Sequence, residues 1–590
     1  MPKLLGTYNN QQLAEKFQLI ANLLEIKGEI IYKTLAYRKA ADSLTELGRD
    51  VSDIYAEEGL KGLQALPGVG KAIAEKIEEL LETGELDFLN KLGEEVPLSL
   101  ADLLQIQGLG PKKVGLFWKE LGITTLPELE SAARAGKLRD LPGMGAKSEE
   151  KIIKGIEALA RRTDRIPLGV AWPFAQELLE FLRALPEVNA AEAAGSLRRM
   201  KETVGDLDLL VAASNSEPVM QAFTGRPDVF EILGQGPTKS SVEFNNGLRA
   251  QLWVHPPERF GTALQYATGS KDHNVRLREL ALDRGYSLSE HALTRTGNGE
   301  EVLCPTEEDV YRTLGLPWIP PELREDRGEI QAGILGGRPT GGGLPPLVSV
   351  PALIAELHTH STWSDGKVSI REMAEAAMAR GLKVLAITDH SRSLGIANGL
   401  SIERLRTQRN EINNVQADLG DQITLLQGIE MELKADGSLD YPDEVLAELD
   451  IVIASLHVSL GQERERVTQR VLNAIRNPHV DIIGHPTGRL IPDREAADLD
   501  MEAIFAAAAE TGTALEISAH PMRLDLNDIN ARRAAELGVH ISINTDAHEP
   551  DQLDLRFFGA AIARRAWVPP DLVINTWEPE KLLGWLHNRG

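Results

Sequence analysis

The spacing of apolar positions changes twice along the chain and predicts three kinds of structure. Up to about residue 165 apolar positions recur at helical spacing, as in LAEKFQLIANLLEI and AIAEKIEELLETG. Over residues 166–318 strand-like runs such as LDLLVAA and RAQLWV stand between helical stretches, which predicts an α+β unit. From residue 351 onward short apolar runs alternate with helical stretches, which is typical of parallel βα units. The chain is therefore predicted to be multidomain.

In the C-terminal part, seven apolar runs end in side chains that can bind metal. Parallel strands of a barrel present their C-terminal ends on one face, so residues distant in sequence are expected to meet there. A histidine that only hydrogen-bonds in a core would account for one such run but not for seven. His and carboxylate groups without Cys suit Zn²⁺, Mn²⁺ or Fe²⁺, and their number implies more than one ion. The runs are LIAELHTH, VLAITDH, LLQGIEME, IVIASLH, DIIGH, ALEIS and ISINTDAH.

These residues carry a resemblance to a known family. The motifs ELHTHSTWSDG, ITDH, GIEMEL, SLH, GHPTGRL and NTDAH resemble those of the polymerase-and-histidinol-phosphatase (PHP) family. The resemblance implies a distorted (β/α)₇ barrel with about three ions, expected to be Mn²⁺, Zn²⁺ or Fe²⁺. Arg489 in HPTGR is a candidate phosphate contact, with a surface ion pair as the alternative. The ligands that the resemblance implies are His358, His360, Asp365, His390, Glu430, His457, His485, Asp546 and His548.

A short pattern recurs three times in the N-terminal part, as LPGVGKAIAEKI, IQGLGPKKVGLFW and LPGMGAKSEEKI. A Gly-x-Gly turn before a helix exposes backbone N–H groups at the positive helix end, which suits a DNA phosphate. The copies resemble helix-hairpin-helix motifs, which bind DNA without sequence preference; helical scaffolding without a ligand is the alternative. The candidate DNA contacts are Gly68, Gly70, Gly108, Gly110, Lys112, Lys113, Gly143 and Gly145.

The α+β unit contains a motif of nucleotide chemistry. GSLRRMKETVGDLDLL resembles the nucleotidyltransferase signature, and period-two spacing puts Asp206 and Asp208 on one strand face, where both can hold Mg²⁺ or Mn²⁺. The later stretch ALQYATGSKDHNVRLRELALDRGY resembles the nucleotide-selecting thumb of family X DNA polymerases. The nucleotide contacts implied are Gly195, Ser196, Arg199, Tyr266, Gly269, Asn274 and Arg278.

Three further positions bear on catalysis. Gln251 in RAQLWV stands where family X enzymes have a third catalytic carboxylate. An amide keeps an oxygen ligand but loses a charge and the ability to take a proton, so we expect poor extension or none. Ala267 replaces the usual aromatic residue, so we expect relaxed sugar discrimination. Lys76 falls where the family has the Schiff-base lysine of a lyase; a solvated helix-surface lysine is the alternative.

Composition limits the class of protein. The net charge of −25 argues against a broad basic surface, so DNA binding is expected to use backbone amides and a few placed cations of the near-neutral N-terminal part. The single cysteine, Cys304, excludes an intrachain disulfide and a multi-thiolate metal site. No 18 uncharged apolar residues run together, so we expect no membrane association, and a monomer of the cytoplasm associated with the nucleoid.

The resemblances together cover nearly the whole chain and imply a DNA repair protein of the bacterial and archaeal family X type. We expect polymerase activity of doubtful strength and a 3′–5′ exonuclease, acting on gapped, nicked or recessed duplex DNA with dNTP. The alternatives are a small-molecule phosphoesterase of the histidinol-phosphatase kind and a non-enzymatic DNA-end-binding scaffold. The predicted domains are an all-α region with helix-hairpin-helix motifs (1–92 and 93–165), an α+β nucleotidyltransferase palm (166–258), a thumb (259–318), a linker (319–350) and the PHP barrel (351–590).

Overall fold

The computed structural model describes residues 10–29, 31–45, 51–106, 109–162, 165–335 and 343–587. The chain divides into two compact units, Met1–Asp164 and Arg165–Gly590. Gly108, a predicted DNA contact, lies outside the described residues. Among the described helices, none has the length and apolar character needed to cross a bilayer.

The first unit is helical, as the spacing of its apolar residues predicts. Those residues form one core, in which Phe17 and Phe117 are fully buried. Gly115 allows a close approach, since a Cβ there would lie 2.6 Å from the Ile26 carbonyl oxygen. The helices are α1 (Asn10–Lys27), α2 (Ile31–Thr45), α3 (Val51–Ala65), α4 (Lys71–Thr83), α5 (Asp87–Glu95), α6 (Pro111–Leu121), α7 (Leu126–Arg134) and α8 (Ala146–Arg162).

The second unit begins with a mixed sheet. The sheet order is β2-β4-β7-β6-β5; β4 and β7 run parallel, and the other neighbours antiparallel. Ala250, Leu252 and Val254 of β7 are buried, so the alternation of the strand turns Gln251 to the opposite face. The elements are β1 (Ile166–Pro167), α9 (Leu168–Arg183), β2 (Ala190–Ala193), α10 (Gly195–Arg198), β3 (Thr203–Val204), β4 (Leu207–Ala212), α11 (Ser216–Thr224), β5 (Val229–Gln235), β6 (Lys239–Phe244) and β7 (Arg249–His255).

The next stretch packs around its own apolar core. Part of the segment predicted to be a linker belongs to it, because Ile319 and Leu323 are buried there. Arg324 is fully buried and its Nη1 lies 2.5 Å from Glu307 Oε1. Residues 319–335 are thus an ordered part of this body. The elements are α12 (Phe260–Thr268), α13 (Lys271–Asp283), β8 (Tyr286–Leu288), β9 (Leu293–Arg295), β10 (Glu301–Val302), α14 (Glu307–Thr313) and α15 (Glu329–Leu335).

The rest of the chain forms the predicted βα barrel. Within the described residues seven parallel strands follow one another in sheet order from β11 to β17. A parallel bridge between Thr359 and Ala547 joins the chain after the first strand to the chain after the last. The elements are β11 (Ala355–Glu356), α16 (Ile370–Ala379), β12 (Val384–Ile387), α17 (Ile402–Leu419), β13 (Thr424–Glu432), α18 (Asp443–Leu446), β14 (Ile451–Ser455), α19 (Arg464–Ile475), β15 (Ile482–Gly484), α20 (Met501–Thr511), β16 (Ala514–Ser518), α21 (Asp528–Glu536), β17 (Ile541–Asn544), α22 (Arg556–Arg565) and α23 (Pro579–His587).

The mixed sheet and the barrel share an apolar core. Buried side chains of α9 and the sheet belong to the same cluster as those of the barrel. The Trp172 and Phe557 rings lie 5.1 Å apart. A Cβ at Gly169 would lie 2.6 Å from Pro521 Cβ, so only glycine allows this approach. The second unit is therefore one packed body rather than two domains on a tether.

Candidate metal centre and nucleotide site

The nine predicted ligands converge at the C-terminal ends of the barrel strands, and Glu430 at the end of β13 lies at their centre. Glu430 Oε1 lies 3.0 Å from His485 Nε2 and 3.2 Å from His457 Nε2. Its other oxygen, Oε2, lies 2.8 Å from His390 Nδ1. One buried carboxylate is thus within reach of three imidazoles from three strand ends.

A second group of ligands surrounds Asp546, which follows β17. Asp546 Oδ1 lies 3.0 Å from His360 Nε2 and 3.6 Å from His358 Nε2. The same two imidazole nitrogens lie 3.6 Å and 3.5 Å from Glu430 Oε2. His358, His360, Glu430 and Asp546 therefore offer ligand atoms within 4.8 Å of one another.

A third group surrounds Asp365, which lies in the loop after β11. Asp365 is 3.4 Å from His548 Nε2, 3.4 Å from His390 Nε2 and 3.8 Å from His360 Nδ1. These four residues form another set of ligand atoms within 4.8 Å, and His390, Glu430 and His457 form a third. The sets overlap through His360, His390 and Glu430, as a centre for several ions requires.

Several buried atoms of these residues make no hydrogen bond within the described part of the chain. A buried nitrogen or oxygen without a hydrogen bond is destabilising, and native structures contain few of them. His390 Nδ1 is close to Glu430 Oε2, yet neither atom makes a hydrogen bond. This is expected of ligand atoms that face a common cation, so the residues fit a metal centre. The buried atoms without a hydrogen bond are His358 Nε2, His360 Nδ1, His390 Nδ1, Glu430 Oε2 and His485 Nδ1.

The charge states of the cluster couple metal binding to proton release. Burial opposes the charge of Glu430, but the His457 and His390 rings more than offset it and hold its pKa well below the ordinary value. Burial and the neighbouring His548 and His390 rings lower the pKa of His360 to about 3, so its imidazole is neutral. Burial alone would lower the pKa of His390, but Glu430 raises it to about 10, so a metal there would displace a proton.

Carboxylates outside the ligand set orient two of the imidazoles. His358 Nδ1 lies 2.9 Å from Glu516 Oε1, and His457 Nδ1 lies 2.7 Å from Glu432 Oε2. Such hydrogen bonds fix the tautomer and leave the other nitrogen facing the ion. Asp389, another strand-end carboxylate, accepts hydrogen bonds from the Ser361 side chain and backbone instead. Their position at strand ends predicts that all three carboxylates lie near the cluster. Only the direction of each side chain decides whether the carboxylate binds a metal or hydrogen-bonds to another residue.

Arg489 forms the ion pair that was the alternative to a phosphate contact. Its Nη1 lies 2.8 Å from Oε2 of Glu202, which lies between α10 and β3. Its Nε donates to the Arg523 carbonyl at 2.8 Å, and its Nη2 donates to the Leu524 carbonyl at 2.5 Å. These three contacts occupy the guanidinium.

The predicted catalytic residues of the mixed sheet lie side by side. Asp208 and Gln251 are register partners on the parallel strands β4 and β7. Gln251 Nε2 donates to Asp206 Oδ2 at 3.1 Å. Burial and the adjacent Asp206 raise the pKa of Asp208 to about 6. The amide thus contacts the aspartate pair that the sequence assigns to Mg²⁺ or Mn²⁺.

Of the residues predicted to bind the triphosphate, Gly195 lies directly against Asp208. Gly195 has a φ of +59°, and a Cβ there would lie 2.2 Å from Asp208 Oδ2, so the position requires glycine. Ser196 follows in α10 and is half-buried. Arg199 is held by Glu325, whose Oε1 lies 3.0 Å from its Nε, and it donates to the Thr268 carbonyl. Its guanidinium joins the sheet to the thumb.

The four residues predicted to face the base pair lie at the α12–α13 turn. The Asn274 amide accepts from Gln265 at 2.8 Å and donates to the Tyr266 carbonyl at 2.8 Å. Arg278 is exposed and donates to the Asn274 carbonyl at 3.2 Å. Gly269 caps α12 with a φ of +66°. Hydrogen bonds thus hold Tyr266, Asn274 and Arg278 around one turn.

The Gly-x-Gly turns of the first unit each precede a helix. Gly70 and Gly110 are the N-caps of α4 and α6, and Gly145 precedes α8. The first glycines of two turns, Gly68 and Gly143, have positive φ values of 72° and 74°. Lys112 is exposed and Lys113 half-buried in the first turn of α6. In the two turns that the structure describes in full, at Gly68 and Gly143, the glycine pair leads directly into a helix N-terminus, where backbone N–H groups can contact a phosphate.

Lys76 lies on α4 near an aromatic ring. Its Nζ is 4.9 Å from the Phe88 ring centroid and donates to the Ala72 carbonyl at 3.3 Å. Both interactions are those of an ordinary helix lysine and leave the two interpretations open.

Comparison with known proteins covers both units. Family models match a helix-hairpin-helix domain over residues 8–86, a SAM-like helix-hairpin-helix tandem over 100–158, a DNA polymerase beta thumb over 263–325 and a PHP domain over 356–520. The DNA polymerase/3′-5′ exonuclease PolX of Bacillus subtilis (strain 168) is 38% identical over 569 residues, 96% of this chain and 97% of that protein. The chain belongs to the family X DNA polymerases with a PHP domain.

Two other relatives each match one part of the chain. DNA polymerase lambda of Rattus norvegicus is 28% identical over 348 residues, 54% of this chain and 57% of that protein. A probable phosphatase of Thermoanaerobacter sp. (strain X514) is 34% identical over 238 residues, 38% of this chain and 91% of that protein. The predicted family and fold class are confirmed, with a helical N-terminal region, a thumb and a seven-stranded PHP barrel.

One residue of the metal centre escaped sequence reasoning. Arg523 follows β16, and its Nε lies 3.6 Å from Asp546 Oδ2. The signal was its place in HPMRLDL, directly after a strand end that carries a metal-competent side chain.

Proposed function

We propose that this family X enzyme acts on DNA through two sites, a template-directed polymerase palm and a PHP-type 3′–5′ exonuclease. Support comes from the PolX relative, which is named for both activities and is matched over 97% of its length. The helix-hairpin-helix units would bind gapped, nicked or recessed duplex, with dNTP as the substrate of the palm. We further infer that the protein acts as a monomer.

The observation that carries the exonuclease assignment is the overlap of three ligand sets, which share His360, His390 and Glu430. The nine predicted ligands would hold about three ions of Mn²⁺, Zn²⁺ or Fe²⁺. When bound, such clustered divalent ions polarise phosphate oxygens and make water nucleophilic near neutral pH. The buried ligand atoms without hydrogen bonds, in particular Glu430 Oε2, support this assignment.

The residues of the chain prepare the site in two ways. Glu516 and Glu432 hold the His358 and His457 rings through Nδ1, so that each Nε2 faces the cluster. His485 and Asp546 have positive φ values of 26° and 55°, which non-glycine residues rarely adopt. This strained backbone directs their side chains into the cluster, and the packing of the surrounding barrel maintains it.

In the palm we propose that Asp206 and Asp208 hold Mg²⁺ or Mn²⁺ and that Gln251 weakens extension. The Gln251 amide donates to Asp206 and so occupies a carboxylate oxygen that a cation would use. An amide also cannot accept the proton of a primer 3′-hydroxyl. The expected result is a palm that binds nucleotide and DNA but extends slowly.

The test is a time course on a recessed primer labelled within the strand that is shortened, with Mn²⁺ and with and without dNTP. We expect stepwise shortening from the 3′ end, abolished by EDTA and by His358→Ala. His291→Ala is the matched control, because His291 is exposed and lies in the thumb. Shortening that survives His358→Ala with full rate would exclude the barrel as the nuclease.

A second candidate function is a phosphatase acting on small molecules. It is favoured by the probable phosphatase of Thermoanaerobacter, which this chain matches over 238 residues, 91% of that protein's length. The same preparation, incubated with DNA and a sugar phosphate together, separates the two. Inhibition of phosphate release by DNA, with DNA cleaved faster, supports the exonuclease; the opposite order supports the phosphatase.

A further inference from the structure

The loop between β16 and α21 brings a cation to the edge of the metal centre. Arg523 lies in this loop with its side chain 15% exposed. Its Nε is 3.6 Å from Asp546 Oδ2, and Asp546 is its one carboxylate neighbour within 4.0 Å among the described residues. Asp546 is shared with the His358 and His360 imidazoles. The protein therefore supplies little negative charge to neutralise the Arg523 guanidinium.

Part of this guanidinium has no partner. Arg523 Nη1 is buried and makes no hydrogen bond within the described structure. A buried cationic N–H without an acceptor is costly, and a bound anion or water is one partner that satisfies such a group in native proteins. Because Arg523 borders the predicted metal ligands, the missing partner is expected to be an anion bound at that centre.

Hydrogen bonds from Arg489 and Thr487 fix the loop around Arg523. Arg489 donates to the carbonyl oxygens of Arg523 and Leu524 at 2.8 and 2.5 Å. Asp525 accepts from the Thr487 backbone and hydroxyl, each at 2.9 Å. The backbone around Arg523 is thus fixed before a ligand arrives, and Arg489 supports the loop rather than contacting substrate.

We propose that Arg523 forms a phosphate-binding subsite of the PHP centre, donating to a non-bridging oxygen of the phosphate that is hydrolysed. This inference rests on the proposed exonuclease function. The planar guanidinium binds phosphate oxygens with directed hydrogen bonds, which strengthen as negative charge develops on them. In the reaction the water oxygen bonds to phosphorus and the water gives up one proton, while the bond from phosphorus to the 3′ oxygen breaks and that oxygen takes up a proton. Arg523 keeps its own protons throughout.

The test is the Arg523→Met variant, loaded with Mn²⁺ and assayed on the recessed primer. We expect unchanged metal content, a fall in kcat/KM of about 100-fold, and inhibition by inorganic phosphate weakened by about 10-fold. Loss of the metal from this variant would instead show that Arg523 only holds Asp546. Unchanged kinetics would equally overturn the subsite.

Arg532→Met is the matched control. Arg532 also has a buried Nη1 without a hydrogen bond, but its guanidinium lies 4.5 Å from the Trp567 ring and its Nε 3.3 Å from Glu536. We expect wild-type kinetics from this control. If Arg523→Met does not fold, Arg523→Lys serves instead, and it should keep the metal and phosphate inhibition but lose most of kcat.

The subsite can fail separately from the exonuclease. If the wild-type protein cleaves no DNA, the proposed function falls, while calorimetry with inorganic phosphate on Mn²⁺-loaded protein still tests Arg523. Phosphate binding that is equal in wild type and in Arg523→Met would then overturn the subsite.

Discussion

At the scale of single residues, the neighbours of Gln251 explain the effect of an amide at a position where family X enzymes have a carboxylate. The side chain lies beside Asp208 in the sheet and donates to Asp206. A carboxylate in this position would repel both aspartates without a metal, and would bind a second cation when one is present. The amide removes the repulsion and the cation site together.

Gln251→Asp is therefore expected to increase single-nucleotide gap filling by about 100-fold, since it restores charge where a transition state needs it. Extension of a gapped primer with Mg²⁺ and with Mn²⁺ measures the effect. Gln235→Asp, an exposed position on β5 of the same sheet, is the control that should change nothing. Robust extension by the wild-type chain would contradict the assigned weakness.

Among arginines, sequence position alone did not separate structural from substrate-facing roles. Arg489 stands in a PHP motif, yet Glu202 and two carbonyl oxygens occupy it. Arg523 stands outside the matched motifs and keeps a buried Nη1 without a partner. The difference arises from which side chains the barrel brings close to each.

At the scale of elements, one carboxylate joins three segments of the second unit. Glu307 at the start of α14 lies 2.5 Å from Arg324, in the segment of residues 319–335, and 2.8 Å from Arg198 in α10. Burial alone would raise the pKa of Glu307, but Arg324 and Arg198 lower it to about 2. Breaking a buried ion pair by removing one partner leaves an uncompensated charge.

Glu307→Gln is expected to lower the free energy of unfolding by about 3 kcal/mol, because Arg324 stays buried without its carboxylate. The folded-state pKa is depressed, so the wild-type contribution is present above the ordinary pKa of 4.5. It is lost as the pH falls from there toward about 2. Urea unfolding at pH 7 and at pH 3 measures both effects.

Glu308→Gln is the control for this prediction, since the adjacent side chain is exposed. It should shift stability by less than about 0.5 kcal/mol. Equal stability losses in both variants at pH 7 would refute the role of the Glu307 ion pairs.

At the scale of the whole molecule, the second unit joins palm and barrel in one core. Trp172 of α9 packs against Phe557 of α22 at 5.1 Å and against Phe558 at 6.5 Å. A hydrogen bond also joins the two parts, because Arg565 Nη1 donates to the Arg199 carbonyl at 2.6 Å. Palm and barrel are thus expected to unfold together.

Trp172→Ala is expected to destabilise the second unit by about 2 kcal/mol, because it removes apolar contacts between palm and barrel. Differential scanning calorimetry should show a single unfolding transition of the second unit at a lower temperature than in the wild type. Bound metal should be released in the same transition. Tyr32→Ala, an exposed aromatic residue of the first unit, is the control. A lowered palm transition with the barrel unchanged would show that the two unfold independently.

The sequence by itself determined the family, the order of folds and the nine side chains at the metal centre. The motifs carry a family resemblance, which implied the fold order and the ligand set. Strand periodicity and the convergence of parallel strand ends predicted only that these side chains meet at one face of the barrel. Alternation along a strand likewise predicted that Asp206 and Asp208 share a face, while only the family resemblance placed Gln251 beside them.

Tertiary structure alone decided the direction of side chains and the packing of distant segments. It turned Glu516 and Glu432 to the outer side of the ligands and left Arg523 Nη1 without a partner at the centre. It also packed residues 319–335 against the thumb, where Gly and Pro composition predicted a linker. These outcomes depend on contacts between residues remote in sequence, which local patterns do not contain.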